Sequence, residues 1–125
     1  MIRFLFVTGA VLGMLAVAAG AFGAHGLRER LTPEALAWWE TGAKYQIYHA
    51  LALLAAAWLG SQVVGRMPGA AGWCFLAGTA IFSGTLYLMA LGAPRWLGAI
   101  TPIGGVLLIV GWLLLALAGL KLGRG

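Results

Sequence analysis

Long apolar stretches, interrupted by a few short polar segments, dominate the chain. Four stretches contain no Asp, Glu, Lys or Arg, and each has at least 21 residues: 4–27, 45–65, 67–94 and 96–120. About 20 helical residues cross the roughly 30 Å hydrocarbon layer of a bilayer, because an α-helix rises about 1.5 Å per residue. The stretches lack the period-2 alternation of membrane barrel strands. We therefore expect four spanning helices, at about 4–24, 46–64, 71–91 and 102–120.

One polar segment separates the first two spans. Thr32 followed by Pro33 is typical of a helix N-cap and first helical residue. One mainly apolar set recurs at steps of four and three and shares a face: Leu31, Ala35, Trp38, Gly42, Tyr45 and His49. The opposite face is polar and consists of Glu34, Ala37, Glu40, Thr41 and Lys44. We expect residues 32–45 to form an amphipathic helix at the membrane interface that continues or bends into the second span near Gly42.

Proline and glycine mark the remaining boundaries. Pro68 and Gly69 indicate a short turn over residues 66–72, and the third span stops before Pro94. A second Thr-Pro pair predicts the start of the fourth span near Thr101, which leaves residues 95–100 as an interfacial elbow. The first apolar run exceeds the typical 7–15 residues of a signal-peptide core, so we expect a retained helix.

Composition supports a membrane protein with a single domain. Hydrophobic residues make up 62% of the 125 residues and charged residues 9%, against roughly 45–50% and about 25% in soluble domains. This excludes an ordinary soluble enzyme, a disordered tail and a nucleic-acid-binding domain. The net charge of +5 bears on topology rather than on nucleic acid. Lys and Arg divide four against four between the two membrane sides, so their count does not orient the chain. The expected fold class is all-α, an integral membrane four-helix bundle with an interfacial amphipathic helix between the first and second spans.

The densest group of polar and ionisable residues surrounds the first hairpin. It comprises His25, Arg28, Glu40, Tyr45, Gln46, Tyr48 and His49. Ionisable residues inside a membrane are candidates for function. The histidines could ligate haem or a metal, relay protons, or bond a quinone, and the basic residues could bind lipid phosphate. The simpler interpretation, which we favour, is that both histidines hydrogen-bond neighbouring helices and lock the hairpin.

The third span carries a second polar stripe. Thr79, Ser83 and Tyr87 recur every four residues and share one face. Hydrogen bonding between helices is the expected role, and a wall of a ligand pathway is the alternative. The chain has no Asp, no phosphate-binding loop and no nucleophile elbow, and its single cysteine, Cys74, excludes an internal disulfide. We therefore expect no catalytic residues, metal or cofactor.

Several motifs resemble those of a known family. They are AFGAHGL at 21–27, YQIYHALALL at 45–54, FSGTLYL at 82–88 and ITPIGG at 100–105. In this order they resemble the YgdD-like domain-of-unknown-function family of small membrane proteins. The resemblance implies a multi-pass, four-helix protein of the bacterial inner membrane, and it implies no activity, substrate or cofactor. Its motifs include His25, Tyr45, Gln46, His49, Ser83 and Tyr87.

The many glycines and the small set of reactive groups favour a non-enzymatic role. We expect a structural or accessory partner in a membrane assembly, surrounded by the lipid bilayer, with a homo-oligomer or a larger membrane complex as its assembled state. The alternative is a lipid- or quinone-binding module that uses the face of His25 and His49. A candidate ligand site or polar network would then comprise His25, Arg28, Glu40, Tyr45, Gln46, His49, Ser83 and Tyr87.

Overall fold

The computed structural model describes residues 1–124, which are helical for most of their length and contain no strand. This part of the chain forms four α-helices and one short 3-10 helix. The α-helices are α1 (Ile2–His25), α2 (Pro33–Gln62), α3 (Met67–Ala90) and α4 (Thr101–Gly119), and the 3-10 helix is Arg95–Ala99. The predicted all-α class is confirmed.

Each α-helix packs along the next one in the chain, so α2 and α3 form the centre and α1 and α4 lie outside. No Cα atom of α1 comes within 8 Å of one in α4. Arg95 forms an ion pair with Glu34 at one end of the bundle. Lys121 Nζ donates to the Val64 carbonyl at 3.4 Å at the other end. These two contacts show that α2 and α4 run in the same direction, as they do when successive helices are antiparallel.

The amphipathic segment is not a separate helix. It forms the first turns of α2, which runs without interruption through Gly42 for 30 residues, about 45 Å. Thr32 caps this helix as expected, because its hydroxyl accepts a hydrogen bond from the Ala35 N–H at 3.1 Å. The helix ends at Gln62 rather than at residue 64, since Val63 is extended and Gly65 has a φ of +124°. Only glycine adopts that φ readily.

The turn predicted over residues 66–72 is wrong. α3 begins at Met67, and Pro68 lies in its first turn. Proline is tolerated there because the first N–H groups of a helix have no intrahelical partner. The connection between α2 and α3 is shorter and is made at Gly65. The 3-10 helix occupies the expected elbow, and all its residues are at least partly exposed.

The second Thr-Pro pair behaves differently from the first. Thr101 is the first residue of α4, and Ile100 is the N-cap. The Thr101 hydroxyl pairs with the Thr85 hydroxyl at 2.6 Å and donates to the Leu97 carbonyl at 3.2 Å. The same dipeptide therefore caps a helix at residue 32 and joins two helices at residue 101.

Three helical segments within residues 1–124 are long and apolar enough to cross a membrane. They are Ile2–His25, Met67–Ala90 and Arg95–Gly119, with mean hydropathies of 2.1, 1.4 and 2.3. α2 is not among them because polar residues such as Gln46 and His49 lower its hydropathy, although both are buried against other helices. The span predicted at 46–64 therefore stays a prediction. It is supported by the position of α2 between α1 and α3.

Glycines bring the backbones of α3 and α4 close together. A Cβ atom at Gly104 would lie 2.5 Å from the Phe82 nitrogen and 2.8 Å from the Gly78 carbonyl oxygen. A Cβ atom at Gly111 would lie 2.7 Å from the ring of Phe75, which is completely buried. Close approach through small residues is the usual basis of helix association in membranes, where lipid removes the hydrophobic driving force.

The close approach at Gly104 predicts a specific loss of stability. Gly104→Ala places a methyl group against backbone atoms of α3, which have little freedom to move, and is expected to destabilise the fold by about 1–3 kcal/mol. Gly84→Ala is the matched control, because a Cβ atom there meets nothing within 4 Å. Thermal unfolding in mild detergent measures both. Equal melting temperatures for the two variants would contradict the packing of α3 on α4.

Candidate functional site

Polar side chains of the two central helices connect three helices of the bundle. Gln46 occupies the middle of this network, since its Nε2 donates to the Leu12 carbonyl of α1 at 2.8 Å and its Oε1 accepts from the Tyr87 hydroxyl of α3 at 2.7 Å. Ser83 Oγ donates to the Gly42 carbonyl at 2.7 Å. Gln46 and Ser83 are buried and Tyr87 is half-buried. The structure thus brings together three of the residues selected from sequence.

Trp39 adds a fourth connection near the start of α2. Its indole Nε1–H donates to the Ala19 carbonyl of α1 at 2.7 Å, and its ring lies against Tyr87, with centroids 4.7 Å apart. A Cβ atom at Gly23 would fall 2.6 Å from the same indole. The structure packs Trp39 against α1 and α3, which satisfies the indole N–H because that group requires an acceptor once buried.

His49 uses both of its ring nitrogens inside the bundle. Nδ1 lies 2.7 Å from the Tyr45 carbonyl, and Nε2 lies 3.1 Å from the indole nitrogen of Trp112 on α4. A carbonyl only accepts and an indole N–H only donates, so this geometry requires a neutral ring protonated at Nδ1. The Nε2 lone pair is occupied by Trp112. His49 therefore joins α2 to α4 and has no free lone pair for a metal or haem.

His25 does not join His49. It is the last residue of α1 and is exposed, whereas His49 is 4% exposed. The separation follows from the early start of α2 at Pro33, which places His49 sixteen residues, about 24 Å, along that helix. Arg28 is also exposed, in the connection between α1 and α2. Within residues 1–124, no group of three or more His, Cys, Asp or Glu side chains could hold a metal ion.

The remaining predicted residues lie on the outer surface of α2. We call the line of exposed residues along this surface the outer stripe; it consists of Ala37, Glu40, Lys44, Tyr48, Leu51, Ala55 and Trp58. The residues recur at steps of three and four, so they share one side of the helix. None of the neighbouring helices covers this side. Tyr45 lies beside the stripe and is 37% exposed.

The hydrogen bonds of Trp39 and Gln46 set the depth of the outer stripe relative to α1. Glu40 and Lys44 lie between these two residues on α2 and are therefore level with residues 12–19 of α1. That segment, LGMLAVAA, is apolar and forms the middle of a helix able to span the membrane. Two charged side chains thus occur on an exposed surface level with the apolar middle of α1.

Such a position is unfavourable without a partner. A charged residue at the centre of a membrane helix costs about 2.5–3.5 kcal/mol on insertion scales, and such residues normally pair or face protein or water. The level of Lys44 is about ten residues, roughly 15 Å, from the end of α1, farther than a lysine side chain extends. The ion pair found within residues 1–124 joins Arg95 to Glu34 and includes neither Glu40 nor Lys44.

A groove opens between α2 and α4 beside the outer stripe. We call it the aromatic groove; it has a volume of about 510 Å³, and its lining includes Tyr45, Tyr48, His49, Phe82, Ile109 and Trp112. Tyr45 packs on Phe82 with ring centroids 4.7 Å apart. The aromatic surface suits an apolar chain or ring rather than a charged group.

Sequence reasoning missed two residues of the polar interior. The bond between Trp112 and His49 was not predicted. A tryptophan in the middle of an apolar span was the available signal, because its N–H must find an acceptor. Thr79 was recognised as part of the α3 stripe but not as a site residue. Its hydroxyl is buried without a hydrogen-bond partner beside a cavity of about 160 Å³ that Gln46, Ser83 and Tyr87 also line.

These features define an all-α membrane protein whose interior polar groups join its helices. The chain belongs to a family described as a protein of unknown function, DUF423, whose model matches residues 19–105. A UPF0382 membrane protein of Staphylococcus epidermidis is 47% identical over 122 residues, covering 92% of this chain and 93% of that protein. The UPF0382 membrane protein YwdK of Bacillus subtilis is 42% identical over 116 residues, with coverages of 92% and 94%. No solved structure matches.

The predicted membrane-protein class and the resemblance to a family of unknown function are confirmed by these matches. The relatives are similar along nearly their whole length. Their names report a membrane protein and no activity.

The Gln46 network predicts a measurable coupling between α1 and α3. Gln46→Leu removes two hydrogen bonds and leaves the Tyr87 hydroxyl without its acceptor, so it should destabilise the protein by about 1–2 kcal/mol. Tyr87→Phe should have a smaller effect, and the double variant should lose less stability than the sum of the two changes. Unfolding in mild detergent by a chemical denaturant measures the cycle. Additive losses would show that the two side chains are not coupled.

Proposed function

We propose that this protein is a multi-pass protein of the bacterial inner membrane that acts, without enzymatic activity, as a structural partner in a membrane assembly. The observation that carries the proposal is the outer stripe of α2. It presents Glu40 and Lys44 on an exposed surface at the level of the apolar middle of α1. A protein partner covering this surface would remove both charges from lipid.

The interior polar groups support a structural role. Gln46, Ser83 and His49 each hydrogen-bond another helix or the backbone, and so hold the bundle together. A transport pathway in a membrane protein normally has ionisable groups facing a cavity or several broken helices. Here α2 and α3 are continuous helices of 30 and 24 residues, and the charges of α2 face outward.

Assembly through the outer stripe can be tested by extraction from native membranes in mild detergent. The protein mass of the sedimenting complex, corrected for bound detergent, should exceed that of one 13.0 kDa copy. Tyr48→Ala combined with Leu51→Ala removes contact surface from the stripe and should shift the chain towards the monomer. The matched control is Met14→Ala combined with Val17→Ala, which truncates exposed side chains of α1. A wild-type chain that sediments as a lone monomer would contradict the proposal.

The aromatic groove supports a second function, the binding of a lipid chain or a quinone. A ligand site on the face of His25 and His49, the alternative that the sequence suggests, does not fit this structure. His25 lies exposed at the end of α1, and His49 is hydrogen-bonded to Trp112. An apolar chain or ring would instead lie against Tyr45 and Phe82. The groove is large enough for part of such a molecule.

Filling the groove provides the test of this second function. Native mass spectrometry of the wild-type protein should detect a retained lipid or quinone, and Ile109→Trp should displace it because Ile109 lines the groove. Val17→Trp adds the same side chain to an exposed position of α1 and should leave binding unchanged. The absence of an adduct in the wild-type protein, or its persistence in Ile109→Trp, would contradict groove binding.

A further inference from the structure

We propose that the partner on the outer stripe is a second copy of this chain, and that Glu40 of each copy pairs with Lys44 of the other. This inference rests on the proposed function, because it names the partner that the stripe would bind. The stripe carries one acidic and one basic residue, separated by one helical turn, on a surface that no other helix of the chain covers.

The charge pattern is complementary to itself in a symmetric dimer. Two copies inserted with the same orientation are related by a two-fold axis along the membrane normal, which makes their α2 helices parallel neighbours. An isologous contact sets the two Glu40 residues at one level and the two Lys44 residues at the next, so the four side chains alternate in sign around the axis when each Glu40 reaches the Lys44 of the other copy. The axial offset is four residues, about 6 Å, which two long side chains can bridge.

The rest of the stripe suits the same contact. Tyr48, Leu51, Ala55 and Trp58 continue the line at steps of three and four, as residues at a helix–helix contact do. The three large side chains, Tyr48, Leu51 and Trp58, are 50%, 59% and 55% exposed. Ala37 and Ala55 are small and let the two backbones approach. The charged pairs would thus lie in one half of the interface and the apolar residues in the other.

A disulfide cross-link tests this interface in the membrane. The experiment uses full-length Cys74→Ala protein in its native membrane, with Leu51→Cys on the outer stripe. Val17→Cys on α1, which is 66% exposed, is the matched control. Mild oxidation should link two copies through position 51 and leave the control monomeric. Equal cross-linking at both positions would indicate random collision and would overturn the inference.

The same experiment separates this inference from the proposed function. A bifunctional thiol reagent that joins position 51 to a different protein, with no linked pair of copies, would overturn the second-copy inference and leave the proposed assembly standing. A chain that remains monomeric with both treatments would contradict both proposals.

Charge exchange between copies tests the ion pairs themselves. Glu40→Lys makes positions 40 and 44 both basic, and Lys44→Glu makes both acidic, so each variant alone should lose the cross-link at position 51 by about tenfold or more. Co-expression of the two variants with different tags should restore the link between unlike copies. Glu29→Lys, a charge change outside the stripe, should behave as the wild type.

The mixed experiment distinguishes pairing between copies from pairing within one helix. Glu40 and Lys44 are four residues apart, so they could also attract each other along α2. In the mixture each helix carries like charges, and only contacts between copies are complementary. Restoration of the link therefore supports the dimer. Single variants that link as well as the wild type, or a mixture that does not recover while Glu29→Lys links normally, would overturn the exchange of ion pairs.

Discussion

The hydrogen-bonding requirement of polar side chains on α2 determines how this bundle is assembled. Lipid offers no partners to a buried amide, imidazole or indole, so each must find one on a neighbouring helix. Trp39 and Gln46 bond backbone carbonyls of α1, and His49 accepts a bond from Trp112 of α4. The Tyr87 hydroxyl of α3 completes the set through Gln46. One helix therefore contacts the other three, and its outward surface is left with the charges that no internal partner neutralises.

Close packing supplements these bonds where polar groups are few. α4 carries little polar chemistry, and it approaches α3 through Gly104 and Gly111, whose missing side chains admit the Phe82 backbone and the Phe75 ring. α1 is held to α2 by the same means at Gly9, where a Cβ atom would lie 3.0 Å from the Ala50 carbonyl oxygen. The interior is thus held by hydrogen bonds from side chains of α2 and by glycine contacts of the two outer helices, α1 and α4. Neither feature creates an open reactive site.

The amino-acid sequence predicts the helices better than it predicts their contacts. Uninterrupted apolar runs locate α1, α3 and α4 within a few residues, and Thr32 marks the start of α2. The prediction of a turn at 66–72 was wrong because proline is compatible with the first turn of a helix as well as with a loop, and Pro68 lies in the first turn of α3. His49 is distant from His25 because α2 begins at Pro33, and it pairs with Trp112 because α4 packs beside α2. Both features depend on tertiary structure, which the periodicity of residues along one helix does not predict.

We propose that the outer stripe lies at the depth of the hydrocarbon layer and is covered by protein. Spin labels at Tyr48→Cys and Met14→Cys, each in Cys74→Ala protein in bilayers, test it through their access to dissolved oxygen and to a water-soluble nickel complex. Both labels should be shielded from nickel, and only the label at position 14, on the exposed side of α1, should meet oxygen freely. High nickel access at position 48 would place the stripe in water, and oxygen access equal to that of position 14 would leave it facing lipid. Either result would contradict the proposal that protein covers the outer stripe within the hydrocarbon layer.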